Sequence, residues 1–160
     1  MTTTFAFDGY TLRLAEPEDL ALARAWTEAD RDHAGRVAPE FWVEQKELEQ
    51  GYLLSDGEGP LYFFKGIVRH RAAGTVLEVN IQFPPYVGSV YARYMLRKRI
   101  GEGLVDGMGW LEEKMRGVVD EVRFESSDAA LMDFCVRRLG FEETGGILRK
   151  GLGSKVSARR

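Results

Sequence analysis

Apolar and polar residues alternate along several short stretches of the chain, as they do in half-buried β-strands. The clearest stretch is VLEVNIQF at residues 76–83. Successive strand side chains point to opposite faces, so this stretch predicts one apolar and one polar face. The two sets are Leu77, Val79, Ile81 and Phe83 on one face and Glu78, Asn80 and Gln82 on the other. Pro84 and Pro85 are expected to end the strand, because proline has no N–H to donate to a neighbour.

The same alternation, bounded by turn residues, predicts further strands. They lie at residues 10–16, in two hairpin arms within 52–70 joined by DGEGP, at 121–126, and in a last arm within 142–152. Apolar residues spaced three or four positions apart predict about four helices between them. Two begin near Pro17 and Pro39, and two extend over 90–115 and 126–141. This order of elements is typical of an α/β domain built round one mixed, mostly antiparallel sheet.

The length and composition are those of one globular domain. The chain has 160 residues, of which 44% are hydrophobic and 29% charged, as in an ordinary globular protein. We expect a single domain over 1–152 and a flexible tail over 153–160, which has no apolar periodicity. The single cysteine and the lack of a basic, apolar leader make the cytoplasm the expected compartment.

Net charge and potential metal ligands bear on whether the protein binds nucleic acid or a metal ion. A net charge of −3 gives the molecule as a whole no attraction for nucleic acid. Two histidines and one cysteine cannot supply a spaced zinc motif, so we expect no metal. The segment DRDH at 30–33 could supply ligands, but the solvated end of a helix is the simpler explanation.

Three stretches of the chain carry a likeness to a known family. They are LRLAEPEDLALA at 12–23, GWLEEKMRGVVDEVRFES at 109–126 and ALMDFCVRRLGFEETGGILRKGL at 130–152. In order, they resemble the first strand and helix, the third helix with the fifth strand, and the fourth helix with the final strand of the GNAT superfamily of N-acetyltransferases. The last is the most specific, because it includes the Leu-Gly-Phe corner after the fourth helix.

This resemblance implies transfer of an acyl group, usually acetyl, from acetyl-CoA or another acyl-CoA to an amine. In the family, the coenzyme pyrophosphate binds backbone N–H groups in the loop after the fourth strand and at the start of the third helix. The thioester arm lies where the fourth and fifth strands separate. Here that implies the strand backbone near Ile81, Gln82 and Phe83. The reaction needs a base, an oxyanion donor and an acid for the leaving thiolate.

Two segments compete for the pyrophosphate loop, whose family pattern is Gln or Arg, two residues, Gly, one residue, and Gly or Ala. KRIGEG fits it as Lys98, Gly101 and Gly103. However, fourteen residues separate Lys98 from Phe83, several more than the family's connection. A competing alignment places the loop at PPYVGSVYA, residues 84–92, directly after the strand but without the first glycine.

A third interpretation makes KRIGEG part of one helix over 90–115. In it, Leu104, Met108, Leu111 and Met115 form one apolar stripe. Lys98 would then lie on a solvated face, and Gly101 would allow close packing at a cost of about 1 kcal/mol in helix propensity. The sequence leaves the three interpretations open.

Glu78 is the best candidate for the base, because the family often places a glutamate on the fourth strand, facing the cleft. Together with Asn80 and Gln82, it gives one strand face three polar side chains, which is unusual for a strand covered on both sides. Burial would raise the pKa of this carboxyl towards the range useful for accepting a proton. A polar face that is simply exposed explains the sequence equally well.

The family's acid is a tyrosine in the fourth helix, and at this position the chain has Val136, which cannot donate a proton. Cys135 is adjacent but points about 100° away around the helix, and a buried, small hydrophobic role explains it better. Family acceptors enter near segments that correspond to 30–42 and 142–149. Trp26, Phe41 and Trp42 could line that entrance or belong to the core.

These observations predict an N-acyltransferase that acts on a small-molecule or peptide amine, as a monomer or a homodimer. The main alternative is a catalytically inactive domain of the same fold that binds a ligand or a protein. A third and less favoured alternative is a nucleic-acid-associated protein that uses the basic residues at 93–99. We expect neither nucleic acid nor a membrane as a partner.

Overall fold

The computed structural model describes residues 4–30, 37–126 and 128–153. Within these ranges the chain forms eight strands, three α-helices and two short 3₁₀ helices. The strands and α-helices are β1 Thr4–Phe7, β2 Tyr10–Leu14, α1 Leu20–Ala29, β3 Glu49–Asp56, β4 Gly59–Arg71, β5 Gly74–Gln82, α2 Val90–Met115, β6 Glu121–Glu125, α3 Ala129–Leu139, β7 Glu142–Thr144 and β8 Ile147–Gly151. The 3₁₀ helices are Pro17–Asp19 and Pro39–Trp42.

The strands form one sheet in the order β1-β2-β3-β4-β5-β6-β8-β7. β5 and β6 run parallel, while the pairs β1–β2, β2–β3, β6–β8 and β7–β8 are antiparallel. The predicted α/β class with a mixed, mostly antiparallel sheet is therefore confirmed. The predicted helix over 90–115 is also confirmed, and it ends before Gly117, whose φ of 86° breaks the helix.

The predicted second helix, from Pro39 to Gly51, is wrong. Only the 3₁₀ helix Pro39–Trp42 forms there, and β3 begins at Glu49. The buried Lys65 ammonium donates to the carbonyls of Phe41 (2.6 Å) and Glu44 (2.8 Å), which an α-helix would have used itself. The structure thus has three α-helices in the described residues where about four were expected.

The strand β1 was not predicted. It pairs with β2 through a two-residue hairpin turn at Asp8 and Gly9, whose φ angles are 48° and 84°. Asp-Gly is a favoured sequence for this turn, because both residues must adopt positive φ. The signal was present in the sequence but stands between two very short strands.

The chain divides into two compact units, of which the first is Met1–Lys65 with Ile81–Asp106. Its core includes a cluster of buried residues from α1, the 3₁₀ helix Pro39–Trp42, strands β3 and β4 and the residue after β2: Ala15, Ala23, Trp26, Trp42, Leu53 and Phe63. The Trp26 and Phe63 rings meet edge to face at 5.3 Å between centroids. The tryptophans of this region are therefore core residues, which was one of the two predicted roles.

In the same unit, α2 is fixed by close packing and by polar contacts. A Cβ atom at Gly103 would lie 2.9 Å from a methyl carbon of Leu61, so glycine allows the helix to approach the sheet closely. The buried Tyr62 hydroxyl donates to the Gly103 carbonyl (3.0 Å), and the Tyr10 hydroxyl donates to the Asp106 carboxylate (2.9 Å). Burial raises the pKa of the Tyr62 phenol, so the phenol stays protonated as a donor.

The second unit is Gly66–Asn80 with Gly107–Arg160. Its helix α3 lies within the predicted range 126–141: the Asp128 carboxylate accepts from the N–H groups of Ala130 and Leu131, and Gly140 ends the helix with a φ of 77°. The Lys150 ammonium joins α2 to α3 by donating to Glu112 (2.9 Å) and to the Leu139 carbonyl (2.7 Å). The predicted tail at 153–160 lies outside the described residues except for Gly153.

Candidate active site

The parallel strands β5 and β6 separate part-way along their length. They pair through Val76 with Glu121, Leu77 with Val122 and Glu78 with Arg123. Beyond that point, in the part of the chain that the structure describes, Val79 and Asn80 have no partner in β6, although β6 continues to Glu125. Backbone groups of β5 are thus left unpaired on one side just after Glu78, where a ligand could use them.

Glu78 is half-buried at the point of this separation, with 28% of its side chain exposed. Its Oε1 atom accepts a short hydrogen bond from Nε of Arg69 and lies 3.7 Å from an Nη atom of Arg71. Both arginines come from the end of β4, the strand that precedes β5 in a hairpin. Glu78 therefore carries its negative charge beside two guanidinium groups, with both contacts on one carboxylate oxygen.

The polar face of β5 is not simply exposed, as one interpretation of the sequence would have it. Glu78 and Asn80 are half-buried, and Gln82 is buried with 4% exposure. The Gln82 amide donates to the Asp30 carboxylate (3.2 Å) and to the Phe83 carbonyl (3.1 Å). Gln82 is thus held in place by a carboxylate at the end of α1.

Ile81 and Phe83, which the resemblance implies near the thioester arm, are both half-buried. Ile81 is the next-to-last residue of β5, and Phe83 follows the strand. The Phe83 ring packs edge to face against Tyr62, with 6.0 Å between centroids. These packed rings fix the chain where it leaves the sheet.

The connection from β5 to α2 spans residues 83–89, and a left-handed glycine leads into the helix. Gly88 has a φ of 98°, which favours glycine, and the Ser89 hydroxyl accepts from the Ala92 N–H (3.0 Å). The N–H groups of Val90 and Tyr91 would need carbonyls of residues that precede the helix, so they have no acceptor within it. The start of α2 is therefore the part of this connection best suited to an anion.

Lys98, Gly101 and Gly103 do not form a loop. All three lie within α2, which continues without a break from Val90 to Met115. Their backbone N–H groups are used in the helix, so KRIGEG does not form the phosphate loop that one of the three interpretations predicted. The helical interpretation was the right one for this segment, and close packing occurs at Gly103.

Helix α3, which corresponds to the family's fourth helix, has no accessible proton donor at position 136 or at the residue before it. Val136 is 41% exposed on α3. The neighbouring Cys135 is 1% exposed, and burial raises the pKa of its thiol to about 12. This thiol is neutral at physiological pH, as expected for a buried cysteine that packs as a small hydrophobe.

On the acceptor side, Asp30 bonds to Gln82, and the exposed Glu40 carboxylate lies 3.7 Å from the Arg24 guanidinium. Asp32 and His33, which were considered as acceptor or metal residues, lie outside the described residues. Among the described ranges, no three His, Cys, Asp or Glu side chains come together as a metal site would require. In the same ranges, none of the helices has both the length and the apolar character needed to span a membrane.

Comparison of the fold with solved structures gives a consistent result. Aminoglycoside acetyltransferase AAC(6′)-Ib, in complex with coenzyme A and kanamycin, matches with a TM-score of 0.64 and 17% identity over 89% of this chain and 94% of its own. An acetyltransferase of the GNAT family from Streptococcus pneumoniae matches with a TM-score of 0.54 and 11% identity, over 89% and 98%. This chain has the GNAT fold.

A further structure with the GNAT fold, the ribosomal-protein-S5-alanine acetyltransferase from Vibrio fischeri, matches with a TM-score of 0.63 and 11% identity. The match covers 93% of this chain and 96% of that one. No protein-family model and no curated protein matches the sequence. The chain therefore shares the GNAT fold with these acetyltransferases at low sequence identity.

Two features of the site were missed from the sequence. The arginines beside Glu78 come from RHR at residues 69–71, where alternate positions of a hairpin strand point to one face. The helix cap at Ser89 was visible only as a serine before a run of helix-compatible residues. Both signals are weak until the hairpin and the start of the helix are known.

Proposed function

We propose that this protein is an N-acyltransferase that moves acetyl or another acyl group from acyl-CoA to an amine. The observation that carries the proposal is the separation of β5 and β6 immediately after Glu78 in a chain with the GNAT fold. It provides unpaired strand backbone beside a carboxylate. These are the two groups that an extended thioester arm and an incoming amine would need.

In the proposed reaction, the acceptor ammonium loses a proton to Glu78, directly or through water. The amine nitrogen then attacks the thioester carbonyl carbon, so that a C–N bond forms and the C–S bond breaks. The departing thiolate takes a proton from water, since Val136 replaces the family's donor, and the attacking nitrogen returns a proton to water as the amide forms. Arg69 and Arg71 contact Oε1 of Glu78, which leaves Oε2 as the proton acceptor.

The coenzyme would be held along the segment that follows Glu78 in the chain. The backbone near Ile81, Gln82 and Phe83 would bind the pantetheine arm. The pyrophosphate would bind the first-turn N–H groups of α2, around Ser89, rather than Lys98, Gly101 or Gly103. AAC(6′)-Ib, which shares the fold, was solved with coenzyme A.

A melting experiment tests coenzyme binding. The protein is heated with and without millimolar acetyl-CoA or free CoA, and a ligand at about 100 times its dissociation constant should stabilise it by about 2.7 kcal/mol. Ser89→Glu should abolish the shift, because a carboxylate would occupy the proposed pyrophosphate position. Lys98→Glu, which changes the charge by two units instead of one but further along α2, is the control and should retain most of it. No shift with either ligand would exclude acyl-CoA as the co-substrate.

A second experiment tests the base. Glu78→Gln should lower kcat by roughly 10²- to 10⁴-fold, because general base catalysis typically contributes that much. Glu113→Gln, at an exposed glutamate near the end of α2, is the control and should leave kcat unchanged. The panel of amines should include an aminoglycoside, a polyamine and a peptide with amino-terminal alanine, since proteins of this fold are named for such acceptors. Equal rates for Glu78→Gln and the wild type across pH would remove Glu78 from the mechanism.

A second candidate function is a domain that binds acyl-CoA or another ligand without transferring the acyl group. The observations that favour it are the valine at position 136 and the absence of the family's first loop glycine, which Val90 replaces. A melting shift with acetyl-CoA, combined with no turnover on any amine of the panel, would select this candidate over the enzyme.

A further inference from the structure

The start of α2 and the loop before it form an unusually exposed part of the first unit. Nine consecutive residues, 86–94, are all exposed. Several are large and apolar or aromatic: Val87 is 69% exposed, Val90 75%, Tyr91 71% and Tyr94 61%. Contiguous exposure of such side chains marks an interaction surface more often than an accident of folding.

All charged residues in and around this exposed segment are basic. Residues 84–101 contain four of the chain's 22 basic residues and none of its 25 acidic ones. Arg99 is used internally, because its guanidinium forms a two-bond ion pair with Asp56. Among the described residues, no carboxylate forms an ion pair with the other three, which are Arg93, Arg97 and Lys98. A positive patch therefore stands on a chain whose net charge is −3.

Helix geometry places the tyrosines and the cations together. With about 100° between successive residues, Tyr91, Tyr94, Arg97 and Lys98 all lie within an arc of about 120°, and Arg93 lies about 40° beyond Arg97. The Arg97 guanidinium stacks over the Tyr86 ring at 4.9 Å from its centroid. Aromatic rings and cations therefore alternate on one surface, which we call the basic-aromatic face and define as Tyr91, Arg93, Tyr94, Arg97 and Lys98.

The chemistry of this face discriminates between partners. A membrane-bound helix separates its apolar and basic residues onto different faces, whereas here they are mixed. A second copy of the chain would bring the same positive charges together, which is unfavourable. Single-stranded nucleic acid offers both bases to stack on tyrosine or arginine and phosphates to pair with the cations.

We propose that the basic-aromatic face binds single-stranded nucleic acid. This inference does not rest on the acyltransferase proposal, since it uses side chains of α2, whereas the proposed pyrophosphate site uses backbone N–H groups of the first turn. The sequence did not favour a nucleic-acid partner, because no aromatic residues accompanied the cations on a predicted sheet face. The structure supplies the missing aromatics on a helix, with Tyr91 and Tyr94 exposed between the cations.

Binding can be measured by fluorescence anisotropy with labelled single strands of about 12 nucleotides, one of RNA and one of DNA. Tyr94→Ala should weaken binding by about fivefold to 100-fold, the factor that one stacked base typically contributes. The logarithm of the affinity should fall with the logarithm of salt with a slope of about −2, as three phosphate contacts require. Arg97→Gln should reduce the magnitude of that slope by nearly one.

Control variants distinguish binding at the basic-aromatic face from general attraction of nucleic acid to positive charge. Lys46→Gln removes an exposed cation of the first unit outside the face, and Val118→Ala removes an exposed apolar residue elsewhere. Both should bind like the wild type, and all four variants should melt like it, because each changed side chain is exposed. Equal weakening by Lys46→Gln and Arg97→Gln would overturn the proposal in favour of general charge attraction.

Three other outcomes would also overturn it: no binding of either strand near physiological salt, binding unaffected by Tyr94→Ala, or preferential binding to anionic lipid vesicles. Concentration-dependent dimerisation that Tyr94→Ala abolishes, without strand binding, would identify a second copy as the occupant instead. The melting shift with acetyl-CoA should survive Tyr94→Ala. The nucleic-acid proposal and the acyltransferase proposal can therefore fail independently of each other.

Discussion

The two ends of α2 have one helical conformation and opposite surroundings. At its start, the side chains of Val90, Tyr91 and Tyr94 are exposed, while Ile100, Leu104 and Leu111 further along are buried. The helix has no break between these parts. The difference therefore comes from what covers the helix and not from the helix itself.

Residues at equivalent positions along the helix differ in their burial. Tyr94 and Met108 are two heptads apart, and a straight helix drifts by only about 20° per heptad, so both lie close to one line along it. Tyr94 is nevertheless 61% exposed and Met108 only 6%. Periodicity fixes the direction of a side chain but not whether anything packs against it. Residue type carried the missing information, since tyrosine and arginine occupy the uncovered end.

The largest effect is expected in the covered part of the helix. Leu104→Ala should lower the free energy of unfolding by about 2–4 kcal/mol, because it leaves a cavity where a leucine with 6% exposure now packs. Denaturant unfolding followed by circular dichroism measures the change. A loss below about 1 kcal/mol would mean that this stripe is not the core side of the helix.

The close approach at Gly103 should give the next largest effect. A Cβ there would lie 2.9 Å from Leu61, whereas a Cβ at Gly109 would meet nothing within 4 Å. Both changes to alanine gain helix propensity equally, so their difference isolates the steric term. Gly103→Ala should be less stable than Gly109→Ala by about 1–3 kcal/mol. Equal stabilities would show that Leu61 moves aside without cost.

The ion pair between Arg99 and Asp56 lies at the boundary between the two parts of the helix. Its side chains are only 20% and 19% exposed, so Asp56→Asn should cost about 1–2 kcal/mol at neutral pH. Hydrogen bonds from Arg99 lower the pKa of Asp56 below its ordinary value of 3.8. The stabilisation is therefore present above that ordinary value and is lost as the pH falls through the lowered pKa.

Unfolding experiments at several pH values test this. The difference in stability between the wild type and Asp56→Asn should be constant above about pH 5 and should shrink as the pH falls below about 4. A difference that grew on acidification would contradict the assigned direction of the pKa shift.

The smallest effect on stability is expected at the uncovered end. Tyr94→Ala and Val90→Ala should each change the free energy of unfolding by no more than about 0.5 kcal/mol, since exposed side chains away from special features contribute little. The same denaturant curves measure them. A loss of about 2 kcal/mol at either position would show that the start of α2 is packed against other residues in solution.

Much of the fold could be predicted because its signals are local. The cap at Asp128, the left-handed Gly140 and the apolar spacing of Leu104, Met108 and Leu111 each fix a helix within a few residues. The prediction of a helix over 39–51 was wrong because the conformation of this segment depends on a residue distant in the sequence. Lys65, 24 residues beyond Phe41, takes the carbonyls that a helix would need.

The candidate site was harder to predict for the same reason. Glu78 was found from its strand position and the family resemblance, and its role as a base stays a prediction. Its partners Arg69 and Arg71 depend on how the β4–β5 hairpin aligns, which single-sequence patterns do not settle. Choosing among the loop alignments required knowing where α2 begins, because the glycines alone fitted a loop or a helix equally well.

The order of residues in the two compact units also constrains how the protein forms during synthesis. The first unit is complete only when residues up to Asp106 have been synthesised. The 66–80 segment of the second unit is synthesised before the last part of the first unit, residues 81–106. Translation delivers the amino terminus first. A ribosome must therefore expose the β4–β5 hairpin while the first unit still lacks α2, and neither unit can be released by a single cut in the chain.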